Sequence, residues 1–144
     1  MGLFDGLTIS ATGLTANRLW LDVISNNIAN ANTTRTPTGG PYRREEVVLN
    51  SVPTSFQSVL GNAVNSSLSG GGVVVQSVVK DPSPFRLVYD PTNPNAVNGY
   101  VQMPNVDIAK EMVDMITASR AYEANVTAFD AAKAIDVQTL NIGK

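Results

Sequence analysis

The feature that most constrains this chain is an apolar repeat of seven residues near its C-terminal end. The segment from Asp107 to Leu140 contains neither glycine nor proline, so nothing in it interrupts a helix. A sustained spacing of seven is typical of a helix that pairs with another long helix. The first row is Ile108, Met115, Tyr122 and Phe129, and the second is Met112, Ser119, Val126 and Leu140. Such a chain needs a helical partner.

The start of this helix is marked by the segment that precedes it. Pro104 disfavours an earlier start, and the side chain of Asp107 is suited to cap the free amides of the first turn. At 1.5 Å per residue, a helix from Asp107 to Leu140 is about 50 Å long, more than a small isolated domain needs. The length favours a helix that packs along an assembly.

The N-terminal segment carries a second repeat with the same spacing and is the predicted partner. Its seven-spaced row is Leu7, Leu14, Leu21 and Ile28, widened by Ala11, Val23, Ile24 and Ala31. The pattern ends in an Asn-, Thr-, Pro- and Gly-rich segment at residues 30–40. Its Ser, Thr, Asn and Gly residues each cost roughly 0.5 to 1 kcal/mol of helix propensity relative to alanine. We therefore hypothesise that this helix is poorly ordered in the free monomer and becomes stable on packing against neighbours.

Asparagines are concentrated where the N-terminal repeat ends, at Asn26, Asn27, Asn30 and Asn32. One interpretation is that they only cap and fray the helix end, because asparagine tolerates the left-handed conformation found there. The other is that some of their amides hydrogen-bond the backbone of adjacent subunits or of the following loop and so fix the register of an assembly.

The middle of the chain predicts a small β module. Tyr42–Leu49 is suited to an edge strand, Val73–Val79 is the strongest strand signal, and Phe85–Tyr89 alternates apolar and polar residues. Gly99–Met103 then leads back to the C-terminal helix. The predicted fold class is α+β, with long terminal helices packed as a coiled-coil-like pair and a small central antiparallel β module.

The expected domains follow from this pattern. Residues 1–34 and 104–144 form the helical domain, and residues 35–103 form the β module. The module contains a Ser-, Gly- and Asn-rich insert, Ser51–Gly72, which is expected to be a flexible connection. A short amphipathic patch in the insert comprises Phe56, Val59, Leu60 and Val64.

Composition excludes several classes of function. The chain has no histidine and no cysteine, so it lacks a histidine base, a thiol nucleophile and any His- or Cys-ligated metal. Its net charge of −2 and its single basic doublet, Arg43–Arg44, argue against a nucleic-acid partner. We expect no cofactor, no membrane span and no cleaved signal peptide, so export would require another route.

The acidic residues do not form a convincing catalytic pair. Glu45 and Glu46 are adjacent on a predicted strand and point to opposite faces, while Glu111 and Asp114 are expected on the solvated outer side of the long helix. The oxygen-rich segment Asp90–Asn95 lacks the spacing of a calcium loop and predicts a turn. The chain is therefore not expected to be an enzyme, and in particular not a carbohydrate-cleaving one.

The segment from Leu21 to Thr33 resembles the N-terminal signature of bacterial flagellar rod and hook proteins. Further blocks are similar to a proximal-rod member of that family: Pro41–Arg44, Leu87–Pro91, Gly99–Val106, Met112–Ile116 and Ser119–Ala128. Together the blocks extend over nearly the whole chain. The departures lie in the turn Asn95–Asn98 and in the insert.

The resemblance implies a structural subunit of the basal-body proximal rod, the shaft that carries motor torque across the periplasm to the hook and filament. It also implies export by the flagellar type III apparatus without a cleaved signal. The implied partners are other rod proteins, copies of the chain itself, the rod-base adaptor protein and the export apparatus. In the family, the terminal helices form an inner tube and the β module lies outside it.

The residues predicted to form the subunit interface come from both helices. They are Leu7, Leu14, Leu21, Asn26, Asn27, Ile28, Asn30, Met112, Met115, Tyr122, Val126 and Phe129. Interdigitated apolar seams resist shear, which suits a shaft under torque. Two alternatives stay open at this point. The seam residues can pair the two helices within one subunit, and the chain can be a stand-alone coiled-coil adaptor.

Overall fold

A computed structural model describes residues 5–52 and 71–142 of the chain. Its elements, in order, are α1 (Asp5–Ala29), β1 (Glu45–Ser51), β2 (Val73–Lys80), β3 (Arg86–Tyr89), β4 (Tyr100–Met103) and α2 (Ile108–Ile142). The predicted α+β class is confirmed, with two long terminal helices around small antiparallel sheets. The amphipathic patch predicted in the insert lies outside the described residues.

Helix α2 begins where the sequence predicts. The side chain of Asp107 accepts a hydrogen bond from the amide of Ala109 at 3.0 Å, and its carbonyl accepts one from Glu111 at 2.9 Å. Asp107 is therefore the helix cap. None of the described helices has the length and apolar character required to cross a membrane.

The strands form two separate two-stranded sheets rather than one sheet. β1 pairs antiparallel with β2, with an irregularity between Val48 and Leu49, and β3 pairs antiparallel with β4. Pro82 and Pro84 occupy the link between β2 and β3. Because proline has no backbone N–H, it does not continue a strand ladder, and the two hairpins remain separate.

The predicted turn after Asp90 connects β3 to β4. The carboxylate of Asp90 accepts hydrogen bonds from the backbone amide and hydroxyl of Thr92, at 3.2 and 2.7 Å. Gly99 has a φ of +80°, and a Cβ there would lie 3.0 Å from the Tyr89 ring. No group of acidic residues in the described part of the chain is arranged to hold a metal ion.

The helices run antiparallel against each other. Near the start of α1, a Cβ added at Gly6 would lie 3.7 Å from Ala132, and near its end Asn27 hydrogen-bonds Glu111. The β1–β2 hairpin packs along α1, where the amide of Val73 donates to the hydroxyl of Thr12 at 3.2 Å. The helix pair is therefore the frame against which the β1–β2 hairpin packs, while β3 and β4 pair with each other.

Candidate subunit interface

The contact between α1 and α2 within one subunit is made largely by small and polar residues. Ala16 and Ile24 on α1 are each 2% exposed, and Ala118 on α2 is fully buried. Gly13 faces Asn125 so closely that a Cβ would lie 3.1 Å from the Asn125 Oδ1. Because these side chains are mostly small, the two helix backbones lie close together. Few large apolar side chains are buried between them.

Asn27 is the centre of a buried hydrogen-bond network at one end of the helix pair. It is 1% exposed. Its Nδ2 donates to the carbonyl of Glu45 at 2.8 Å and to Glu111 Oε2 at 3.0 Å. Its Oδ1 accepts from the Tyr42 hydroxyl at 3.0 Å and from the amide of Glu45 at 2.9 Å. One side chain thus joins α1 to the start of β1 and to α2.

Arg44 lies beside Asn27 and forms ion pairs with several carboxylates. Its Nε donates to Glu111 and its Nη1 to Glu46. Asp81 lies 3.7 Å from Nη1, and Asp114 lies 3.5 Å from Nη2. The guanidinium therefore connects β1, the segment after β2 and the first turns of α2.

The expectation that Glu111 and Asp114 lie on a solvated outer face is wrong. Glu111 is fully buried and Asp114 is half-buried, because both turn toward Arg44. The apolar repeat gave no sign of this, because Glu111 is not part of that repeat and lies on the face of α2 that contacts Asn27 of α1. A buried carboxylate is stable when it is paired and hydrogen-bonded, as it is here by Arg44 and Asn27.

Two groups at this junction have shifted pKa values. Burial, together with the negative charges of Glu45 and Glu111, raises the pKa of Tyr42 to about 12. Hydrogen bonds from the hydroxyl and the amide of Ser83 hold the pKa of Asp81 below its ordinary value, with Arg44 acting in the same direction. At neutral pH, Tyr42 is therefore an uncharged hydroxyl and Asp81 is a negatively charged carboxylate.

The apolar residues predicted for the interface lie on the flanks of the helix pair. Met112 is 55% exposed, and Tyr122 and Val126 are each 36% exposed. The others are half-buried: Leu7, Leu14, Leu21, Ile28, Met115 and Phe129. Further exposed apolar side chains on α2 are Ile108, Val113, Ile116, Ile135, Val137 and Leu140. These side chains are only partly covered, or not covered, by the described part of the subunit.

The three asparagines predicted for the interface have different roles. Asn27 lies inside the subunit, where its four hydrogen-bonding positions are used, in part by the backbone of the following segment. Asn30 donates to the carbonyl and the side chain of Asn26, each at 2.9 Å, which closes the last turn of α1. Asn26 is exposed. Of the three, Asn26 and Asn30 remain at the surface.

The inner row of α2 was missed by sequence reasoning. It is Glu111, Ala118, Asn125 and Ala132, which are also seven apart. A search for large apolar residues does not find this row, because its members are small or polar. The available signal was the seven-residue spacing of Ala118, Asn125 and Ala132, which indicates the face of α2 that packs against Gly13 and Asn27 of α1.

Two segments of the chain match family models of flagellar rod proteins. Residues 7–35, which include most of α1, match the family "Flagella basal body rod protein". Residues 97–142, which include β4 and α2, match "Flagellar basal body rod FlgEFG protein C-terminal". The helix pair is thus the part that carries the family pattern, and the class of protein is a flagellar basal-body rod protein.

Full-length relatives narrow this class. The chain is 48% identical to the flagellar basal-body rod protein FlgC of Bacillus subtilis, with all of both chains covered. It is 48% identical to FlgC of Borreliella burgdorferi over 94% of this chain and 93% of the relative. It is 39% identical to FlgC of Salmonella typhimurium, again with all of both chains covered. The chain belongs to the FlgC family of flagellar basal-body rod proteins, and the predicted family is confirmed.

Proposed function

We propose that this chain is a structural subunit of the proximal rod that transmits torque through bundled helix pairs. The observation that carries the proposal is the row of apolar side chains on α2 that the described subunit leaves exposed, among them Met112, Ile116 and Val126. Exposed apolar side chains that recur along one helix mark an interaction surface when they form a continuous stripe. Packing against helices of other subunits buries such a stripe.

The two predicted rows lie on the same side of the helix pair. At 100° per residue, the row Leu7, Leu14, Leu21 and Ile28 is displaced to one side of the α1 residues that face α2. Ile108, Met112 and Val126 are displaced in the same rotational sense on α2. In an antiparallel pair, equal displacements fall on one side, so the rows form a single apolar flank. We call this the open flank.

The β1–β2 hairpin covers another side of α1. Its valines approach Thr12, Thr15 and Leu19, which point away from the Leu14 row. The described strands β1 and β2 therefore leave the open flank uncovered. This arrangement supports two domains, with the helices at residues 1–34 and 104–144 inside the shaft and residues 35–103 outside it.

A mechanical role fits the described carboxylates. Glu46, Asp81, Glu111 and Asp114 all contact Arg44. These contacts link the β module to the helices. We propose that the carboxylates have this structural role and that the chain is not an enzyme. We also propose that the subunit leaves the cell through the flagellar type III export apparatus without a cleaved signal, and that it contacts the rod-base adaptor and other rod proteins.

Adjacent substitutions on α2 test the open flank. Val126→Glu places a charge within the flank, and Thr127→Glu places the same charge one residue away, on an exposed site off the flank. We expect both purified subunits to unfold within about 0.5 kcal/mol of wild type, because both sites are at the surface. In cells that lack the gene, Thr127→Glu should restore swimming and Val126→Glu should not.

Each outcome separates two interpretations. If Val126→Glu instead destabilises the purified subunit and still supports swimming, the flank residues pair helices within one subunit. If cells that lack the gene swim, the proposed rod function is wrong. A stable dimer at micromolar dilution, measured by sedimentation, is the result expected of a stand-alone coiled-coil adaptor, which family membership does not favour.

A further inference from the structure

The β3–β4 hairpin packs against no other described helix or strand. Helix α1 contacts α2, β1 and β2, and β1 contacts β2, whereas among these elements β3 and β4 contact only each other. A two-stranded hairpin by itself is marginally stable in water. The position of this hairpin therefore depends on the loop segments around it.

Residues 81–85 form the link that leads from β2 into this hairpin. Pro82 and Pro84 each confine the residue before them to extended backbone. Neither proline can donate a hydrogen bond, so the carbonyl groups of the link need partners other than a neighbouring strand. The link is therefore stiff, and its direction is set by the groups that bind its carbonyls.

Two side chains bind the same two carbonyls of the link. Arg43 Nη1 donates to the carbonyl of Asp81 at 2.8 Å and to that of Ser83 at 3.2 Å. Asn105 Nδ2 donates to the same carbonyls at 3.3 and 3.4 Å. Arg43 Cζ also lies 4.3 Å from the centre of the Phe85 ring, a cation–π contact at the end of the link. We call the two side chains and the two carbonyls the clamp.

The clamp is anchored in the network around Arg44. Arg43 precedes Arg44 in the chain, and Asn105 Oδ1 accepts a hydrogen bond from the Arg44 amide at 2.9 Å. The carbonyl of Arg44 accepts one from the Asp81 amide at 2.9 Å. Arg44 in turn is paired with Glu111 on α2. A continuous set of contacts thus extends from the helix pair through Arg44 to the clamp and the start of β3.

We propose that Arg43 and Asn105 are positioning residues that hold the β3–β4 hairpin in a fixed orientation to the helix pair. Each hydrogen bond to a carbonyl is modest, but both side chains act on a link that its prolines already stiffen, so few directions remain for it. The clamp does not depend on the rod function proposed above. Where that function holds, the clamp carries load from the helix pair to the second hairpin.

Amide hydrogen exchange of the purified subunit tests the clamp. In Asn105→Ala, the amides of β3 and β4 should exchange about tenfold faster than in wild type, because the loss of two hydrogen bonds frees a hairpin of marginal stability. The amides in the middle of α2 are the internal reference and should keep their rates. An equal rise in every element would mean that Asn105 adds only general stability. That result would overturn the proposal, as would unchanged rates in β3 and β4.

Asn50→Ala is the matched control, because it removes the same side chain from the other hairpin. Asn50 Nδ2 donates to Gln76 Oε1 at 2.9 Å at an exposed site. This variant should leave the exchange of β3 and β4 at wild-type rates. A rise equal to that in Asn105→Ala would contradict a local clamp.

Two further variants separate the donors of the clamp from its other contacts. Asn105→Asp keeps an oxygen for the Arg44 amide and loses the Nδ2 donor, so it should speed exchange in β3 and β4 at least as much as Asn105→Ala does. Arg43→Met keeps an apolar stem against Phe85 and loses the guanidinium, and it should also speed exchange there. Wild-type exchange in either variant would mean that the bonds to the link carbonyls do not hold the hairpin.

Spin labels test the orientation directly, since the chain has no cysteine and labels attach only at introduced ones. A label at Thr117→Cys on α2 is paired with one at Leu87→Cys on β3, or with one at Ser77→Cys on β2 as the control; all three sites are exposed. Asn105→Ala should broaden the distance distribution from α2 to β3 by about twofold and leave that from α2 to β2 unchanged. Equal widths with and without the Asn105 side chain would overturn the fixed orientation.

Discussion

At the scale of single residues, the junction between helices and β module depends on one arginine and one asparagine. Arg44 is 7% exposed and Asn27 is 1% exposed, and both use their polar atoms within the subunit. Buried polar groups that are fully paired favour one arrangement of the elements over others, because any slip leaves them unpaired. The network thereby fixes where the first hairpin stands on the helix pair.

Glu111→Ala should be among the most destabilising single changes. It leaves the Arg44 guanidinium buried without its main partner and removes an acceptor from Asn27. We expect the free energy of unfolding in urea to fall by about 3 to 5 kcal/mol. The control is Glu123→Ala, which breaks the exposed pair with Arg120 and should cost at most about 1 kcal/mol. Equal losses would contradict a buried network.

Tyr42 provides a prediction on alkaline stability. Its pKa is raised from 10.0 to about 12 in the folded subunit, because burial and nearby carboxylates disfavour the phenolate. A raised pKa contributes stability that is fully present below pH 10 and is lost as the pH rises toward 12. Absorbance of tyrosinate should show one late-titrating tyrosine, which Tyr42→Phe removes. A Tyr42→Phe subunit whose stability falls as steeply above pH 10 would contradict this.

The sequence predicted the residue roles that depend on local neighbours and missed those that depend on distant ones. The cap at Asp107 was readable because a cap acts on its own helix turn. The pairing of Arg44 with Glu111 was not, because it joins positions far apart in the sequence and gives no local pattern. Asn27 was predicted as one of a cluster with Asn26 and Asn30, and only the fold showed which of them is buried and what its partners are.

At the scale of elements, most of the described secondary structure followed from periodicity. The seven-residue repeats predicted both helices, and β-branched runs predicted β1 and β2. The division into two sheets was missed. Alternation of side chains does not specify which strands become neighbours, and the prolines between β2 and β3 were the signal for that division.

Gly13 tests the close approach of the two helices. Glycine within a helix costs about 1 kcal/mol relative to alanine, so Gly13→Ala should stabilise an unpaired helix. Here the new Cβ would lie 3.1 Å from Asn125 Oδ1, and Asn125 is held by its hydrogen bond to the carbonyl of Ala121. We expect no gain in the free energy of unfolding from Gly13→Ala alone.

The Asn125→Ala background is the matched control. There the contact is relieved, and adding Gly13→Ala should raise the free energy of unfolding by about 1 kcal/mol. Urea unfolding of the four variants in this cycle measures the difference. The same gain in both backgrounds would show that the helices do not touch at this level.

At the scale of the whole molecule, the described subunit has little buried apolar material. Its buried apolar side chains are Ala16, Val23, Ile24, Ala31, Val101 and Ala118. Many larger apolar residues remain exposed on α2, including Ile116, Ile135 and Leu140. Each fully buried large apolar side chain contributes roughly 1.5 to 3 kcal/mol, so the subunit leaves much of its available stabilisation for contacts with neighbours.

The free subunit should therefore hold α1 weakly. The helix is rich in residues of low helix propensity, and within the subunit it packs mainly through small and polar groups such as Gly13, Ala16 and Asn27. Amide hydrogen exchange at micromolar concentration should be fast along α1 and slower along α2, which serves as the internal reference. In assembled rods, the α1 amides should be protected as well as those of α2. Equal protection of both helices in the dilute monomer would mean that the subunit is complete before assembly, and bundling would then not be the step that orders α1.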